Sequence, residues 1–310
     1  MNAGTTTGPG SHGEPETGLV VAAYGRHVLI EDERKDRHRC ILARRRLRAV
    51  CGDIVQWARA IDASGGVVLE ISPRTTELTR PSRRGDREVL AANIEQVVVV
   101  AAPRPDPDPF LIDRYLAASE LMGTDGCLVY NKSDLDPERS EMDLSEYSAV
   151  GYPVVTTSVR NGAGLEELRG LLKGKISIFV GHSGVGKSSL LNLLIPGAEI
   201  ETAALSTASG EGRHTTTASV LHRLNVGGAV IDSPGVRDYA PSPIASRDVS
   251  AGFREIDGRR GDCRFSNCMH LKEPGCAVKD AVESGDISAR RYESYRRLVR
   301  LMEQLGREVS

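Results

Sequence analysis

Residues 181–189 read GHSGVGKSS, the pattern G-x-x-x-x-G-K-S. They stand between a strand-like run, ISIFV, and an apolar run of helical spacing, LLNLLI. Glycines at that spacing let successive backbone N–H groups converge on phosphate oxygens, and the helix start adds its positive end. Gly181, His182, Ser183, Gly184, Val185, Gly186, Lys187, Ser188 and Ser189 are therefore expected to hold the phosphates of a nucleotide. Lys187 supplies a point charge at the terminal phosphates, and the Ser188 hydroxyl supplies a ligand for Mg2+. DSPG at residues 232–235 follows another strand-like run, GGAVI. Asp232 is placed to serve the same ion and the Gly235 N–H to approach the last phosphate.

The base is indicated by NKSD at residues 131–134, directly after CLVY. Asp134 can accept from N1–H and the exocyclic amine of guanine, a donor pair that adenine lacks. Asn131 can bond the base edge, and the Lys132 stem can lie over the ring, with Ser133 completing the turn. A missing match would leave buried polar groups unpaired, which rejects the wrong base strongly. Thr156, Thr157 and Ser158 read as the supporting loop behind the base, with Ser158 counted among the binding residues.

A second constellation is Cys263, Cys268, His270 and Cys276, spaced C-x4-C-x-H-x5-C. Three thiolates and one imidazole form a closed tetrahedral Zn2+ site, structural because no coordination position is left for a reactant. Cys40, Cys51 and Cys127 fall in strand-like runs and are expected in cores.

The elements that must position these groups follow from the pattern. Residues 1–17 are rich in Gly, Thr, Ser and Pro and are expected to be a disordered tail. Residues 18–72 hold five short strand-like runs, which suits a small closed barrel, OB-type or SH3-like. Residues 34–48 of that barrel are dense in arginine, which suits either a solvated hairpin edge or a phosphate-contacting patch. Residues 73–92 are polar and read as a linker. Residues 93–243 alternate strand-like and helix-like runs, the signature of a parallel sheet with ligands at its carboxyl ends. Residues 244–310 read as a mainly α zinc-binding domain. Its terminal helix carries Arg290, Arg291, Arg296, Arg297 and Arg300, expected on a solvated face, with RNA contact as the alternative. The net charge of −2 over 310 residues excludes a general polycation, so any nucleic-acid surface is a local patch. No apolar run is long enough for a membrane helix and no signal pattern opens the chain, which makes the expected compartment the cytoplasm.

The order of the motifs is rotated. In the common GTPase arrangement the phosphate loop comes first; here NKSD and its support precede it, and the switch-type segment and DSPG follow. Such a circular permutation leaves the spatial site intact. It also sends the chain from DSPG almost directly into the cysteine-bearing domain.

The combination of a barrel, a permuted GTPase and a cysteine-rich C-terminal domain resembles the ribosome small-subunit-dependent GTPase A (RsgA) family over residues 18–305. The segment GEGRHTTT at residues 210–217 resembles that family's first switch. The resemblance implies a late assembly factor that binds the 30S subunit and 16S rRNA; with the motifs it makes GTP and GDP the expected nucleotides, and a monomer without membrane contact is expected. It also implies that the ribosomal particle stimulates hydrolysis. Val236 stands where many GTPases carry a water-orienting Gln, so slow intrinsic turnover is expected. His214 is the candidate catalytic residue beside Lys187, and one of Thr215, Thr216 and Thr217 the switch ligand for Mg2+, with Thr217 the choice here. A nucleotide-gated RNA-binding module with incidental hydrolysis is the alternative.

Overall fold

The computed structural model describes residues 13–60, 65–81, 87–135, 142–195, 197, 219–232 and 244–308. The barrel strands are β1 (Glu16–Tyr24), β2 (His27–Glu31), β3 (Arg37–Leu42), β4 (Ile54–Arg59) and β5 (Gly66–Ile71). β1 begins two residues before the expected boundary. It pairs antiparallel with both β2 and β4, β2 with β3, β3 parallel with β5, and β5 with β4, closing the OB-type ring β1-β2-β3-β5-β4. β1 pairs with β4 through Glu16–Leu19 and with β2 from Leu19 onward, and an irregularity between Val20 and Ala22 bends it. Trp57 fills the barrel, fully buried among Val20, Ile30, Val55 and Val68. Gly18 must stay small there: a Cβ would lie 2.4 Å from Ile30 Cγ2 and 2.9 Å from Trp57 Nε1.

The polar segment expected as a linker contains a hairpin, β6 (Glu77–Pro81) and β7 (Arg87–Ala92). It is fastened to the barrel. Ala91 bridges Cys51, the Asn93 amide donates to Gly52 O at 2.9 Å, and Arg74 grips the fully buried Asp53 with two bonds of 2.7 and 2.9 Å. Polarity here reflects paired groups, not a free tether.

The central unit comprises β8 (Gln96–Ala101), α1 (Pro109–Met122), β9 (Asp125–Tyr130), α2 (Ser145–Ala149), β10 (Val154–Thr156), α3 (Leu165–Leu172), β11 (Ile176–Val180), α4 (Lys187–Leu194), β12 (Val220–Arg223) and β13 (Ala229–Asp232). The strand order is β10-β9-β8-β11-β13-β12, parallel except for β12. β8 is buried along its whole length, as a central parallel strand covered on both faces must be. Val97, Val99 and Ala101 enter one core, and Val98 and Val100 the other. α1 starts where the Asp108 side chain accepts from the N–H groups of Phe110 and Leu111, and ends at left-handed Gly123. The barrel joins this sheet at β12: Ala22 pairs with Val220, and Arg223 donates twice to the buried Glu31 of β2 at 2.7 and 2.9 Å.

The C-terminal unit holds α5 (Arg254–Asp257), α6 (Ala277–Ser284) and α7 (Ala289–Glu308) around Phe253, Ile256, Val278, Tyr295 and Leu298. That core also takes in Ala117 of α1. Here the expectation of a wholly solvated arginine face on α7 fails for two residues. Arg291 is 1% exposed and bonds Asp113 of α1 at 2.7 Å and Glu255 of α5 at 2.5 Å. Arg290 bonds the same Asp113 at 2.7 Å and Glu146 of α2 at 2.5 Å. The rings of Tyr147, Tyr152 and Phe253 surround the Arg291 guanidinium at 5.6 to 5.9 Å. These two arginines bind domain to domain. Arg296, Arg297 and Arg300 do remain half-exposed, around Glu293.

Candidate guanine-nucleotide site and metal knuckle

The phosphate loop leaves β11 at Gly181 and enters α4 at Lys187, with Gly186 as its left-handed cap (φ 97°). Gly181, at φ 141°, passes so near β8 that a Cβ would lie 2.1 Å from Val100 O. Gly184 is also left-handed, and His182, Ser183 and Gly184 are exposed. The Lys187 ammonium donates to the carbonyls of Gly181 and His182 at 2.6 and 2.8 Å, which centres its charge over the loop. Ser188 and Ser189 occupy the first turn of α4. Asp232 ends β13, opposite Val220 in register.

The NKSD loop leaves β9 beside it, and the two loops are joined. Asn131, 1% exposed, donates its amide to Val185 O of the phosphate loop at 2.9 Å. Its carbonyl accepts from the fully buried Thr157 hydroxyl at 3.1 Å. Asn131 is thus a tether between loops, with one amide hydrogen left for a base edge. Lys132, at positive φ, donates to Gly184 O at 2.6 Å and Arg104 O at 3.0 Å, so its stem spans the gap between the loops. Ser133 N–H bonds Thr157 O at 3.1 Å, tying the base loop to its support. The Ser158 hydroxyl donates to Asp134 at 2.6 Å and accepts from the N–H groups of Arg160 and Asn161. That hydroxyl, more than the Arg160 and Lys132 charges, holds the Asp134 carboxyl below its ordinary value. An ionised Asp134 is an acceptor only, as the guanine N1–H and amine require.

The four ligand candidates of the knuckle meet in space, with ligand atoms all within 4.8 Å of one another. His270 Nδ1 lies 3.4 Å from Cys263 Sγ and 3.5 Å from Cys276 Sγ, and those sulfurs are 4.0 Å apart. Bonds of about 2.3 Å to sulfur and 2.0 Å to nitrogen in a tetrahedron set ligand separations of roughly 3.5–3.8 Å, so the donor set fits a metal ion such as zinc. The cage is framed from both sides. Tyr292 and Tyr295 of α7 donate to the carbonyls of His270 and Met269 at 2.6 Å. Glu273 accepts from the N–H groups of Met269, Leu271 and Lys272. Burial works against the Glu273 charge, yet these donors together hold its carboxyl at about 2. By contrast, burial pushes the Cys40 and Cys127 thiols up to about 12, which keeps them inert.

A family model for the RsgA GTPase matches residues 71–241. The chain is 45% identical over 302 residues to the small ribosomal subunit biogenesis GTPase RsgA of Chromohalobacter salexigens, covering 95% of this chain and 88% of that protein. The chain belongs to the RsgA GTPase family. The RsgA protein of Pseudomonas aeruginosa is 43% identical, with 94% and 87% of the two chains covered. Among solved structures, YjeQ from Thermotoga maritima superposes with a TM-score of 0.77 at 33% identity, covering 93% of this chain and 98% of that one. YloQ, described as a circularly permuted GTPase, gives 0.74 at 28% identity, covering 94% and 96%.

Against this RsgA frame, His214, Thr217 and Gly235 lie outside the described residues. Thr157 is the residue that sequence reasoning undervalued. It was visible only as a member of the supporting TTS run, whereas its hydroxyl orients the Asn131 amide. One prediction follows from the tether. A Cβ on Gly186 would lie 2.4 Å from Asn131 Nδ2, at a φ that favours glycine. Gly186→Ala is expected to weaken GDP binding by more than tenfold with little loss of secondary structure. Unchanged affinity in a fluorescent-nucleotide titration would remove the tether from the account.

Proposed function

We propose that this protein is a GTP hydrolase serving late assembly of the small ribosomal subunit. It binds GTP and GDP, acts in the cytoplasm as a monomer, and has the 30S subunit and 16S rRNA as partners. The observation that carries the reading is the Asn131 junction, which makes one site of a guanine-reading loop and a phosphate loop in a chain so similar to proteins named for small-subunit biogenesis.

In this reading Asp134 and Asn131 read guanine, Lys132 covers it, and Ser158 fixes the carboxylate. The backbone of residues 181–189 and the Lys187 ammonium neutralise the phosphates. Ser188, Asp232 and Thr217 would hold Mg2+, which supplies charge neutralisation at the terminal phosphates when bound. The Gly235 N–H would approach the γ-phosphate. Cys263, Cys268, His270 and Cys276 would hold one structural Zn2+. The barrel arginines at positions 44, 45, 46 and 48 are exposed on the loop after β3 and suit phosphate contacts. Val236 offers no group to orient water, so turnover is slow until the subunit completes the site, with His214 as the residue that does so.

The test is hydrolysis measured with and without purified small subunits. Wild type is stimulated, and His214→Ala keeps its nucleotide affinity but loses most of the stimulation. An equal stimulated rate in His214→Ala removes that residue from catalysis. Absence of stimulation in wild type favours a nucleotide-gated RNA-binding module, which the valine at position 236 equally permits.

A further inference from the structure

The cations of the C-terminal unit are unevenly neutralised. From residue 244 onward, among the residues whose side chains are described, each arginine and lysine forms an ion pair with a carboxylate except Arg264, Lys272 and Lys279. Arg264 and Lys272 lie inside the knuckle, and Lys279 reaches back to its Glu273 carbonyl at 3.0 Å. The cations that no carboxylate pairs are therefore gathered at one place, while the Glu273 carboxylate there is taken up by three backbone N–H groups.

That place also presents a ring. Residues 264–267, Arg-Phe-Ser-Asn, are all exposed and run between the ligand candidates Cys263 and Cys268. Phe265 is 40% exposed, although a side chain of its kind is ordinarily buried. The Arg264 guanidinium sits 5.5 Å from its ring centroid. The loop is held at both ends, by Arg264 N–H on Gly275 O at 3.0 Å and Cys268 N–H on Phe265 O at 3.1 Å. A planar ring, an adjoining cation and two short hydrogen-bonding side chains on a stiff loop match what a splayed-out RNA nucleotide offers: a π-face, a phosphate and polar base edges. A protein partner would ask for a wider apolar surround than one ring flanked by Arg, Ser and Asn.

We infer that residues 264–267 hold an unpaired RNA nucleotide, with its base stacked on Phe265 and its phosphate on Arg264. The inference rests on the ribosomal reading above and names the contact within it. The experiment uses full-length, zinc-loaded protein and purified small subunits. Phe265→Ala weakens subunit binding about tenfold or more, the scale of losing one stacked base, while Phe265→Trp retains it. Arg264→Gln lowers the slope of log affinity against log salt by about 0.7, the share of one single-strand phosphate. Metal content and GDP affinity stay at wild-type values in all three. A photoreactive phenylalanine analogue at position 265 crosslinks to rRNA. Wild-type binding by Phe265→Ala, or crosslinks that fall on a ribosomal protein, overturns the inference and leaves the ribosomal reading intact. Failure of wild type to bind the subunit removes that reading and the inference with it.

Discussion

Asp134→Asn is expected to lower GTP affinity by at least about a hundredfold and to abolish the preference for guanine. The carboxylate offers two acceptors to two donors of the base; the amide offers one acceptor and sets an N–H against a base N–H. Each donor left unpaired in a desolvated site costs about 1–3 kcal/mol, and more against a charged partner. The same variant should gain affinity for xanthine nucleotides, whose 2-oxo group accepts from the new amide. Because the Ser158 hydroxyl donates to Asp134 and lowers its pKa, guanine recognition in the wild type should persist as pH falls through the usual carboxylate range. It should fade only below that range. Competition titrations with GTP, ATP and XTP decide this, and an unchanged preference for GTP would show that another residue reads the base.

Arg291→Ala is expected to destabilise the protein by about 3–5 kcal/mol, the cost of breaking a buried pair from one side. It leaves Asp113, 1% exposed, and Glu255 without their main partner. Burial already pushes the Asp113 carboxyl up against the pull of Arg291 and Arg290. Arg291→Lys keeps the charge but not the planar fork that serves two carboxylates, so it should fall between the two. Arg297→Ala is the control: its partner Glu293 is shared with Arg296 and Arg300 at a solvated surface, and a loss under about 0.5 kcal/mol is expected. Denaturant unfolding measures all three. An Arg291→Ala protein within about 1 kcal/mol of wild type would mean that the cluster is solvated and the domains are loosely joined.

The contrast between Arg291 and the phosphate loop shows what a sequence can disclose. GHSGVGKSS, NKSD and the cysteine knuckle are local: spacing along the chain fixes which backbone groups and side chains converge, and the structure brings each of these groups together. The five barrel runs and the α/β alternation were legible for a similar reason, since apolar periodicity reports the burial of each element. Arg291 gave no such signal. Its neighbours Arg290, Tyr292 and Arg296 look like a wet helical face, and the acids that hold it stand on α1 and α5, far away in the chain. The β6–β7 hairpin was hidden in the same way. The polar residues that flank it, Arg74, Asn93 and Thr76, are satisfied by Asp53, Gly52 and Ile94, partners that no short window contains. Asn131 was legible as a candidate base contact but not as a tether, because Val185 lies 54 positions on.

The seam at β12 has a consequence for how the chain comes into being. The barrel closes through β1 and β4, and its last strand ends at Ile71. Its docking partner Val220, and Arg223 for Glu31, are made only after β8 through β11 and α4. During synthesis the barrel can close on its own long before β12 exists, while the flank of β1 that receives Val220 stays open. Contacts of such sequence separation form late and slowly. A nascent chain halted before residue 220 should therefore carry a folded barrel fastened to its hairpin but not yet paired to β12, and that seam closes only once β12 is made.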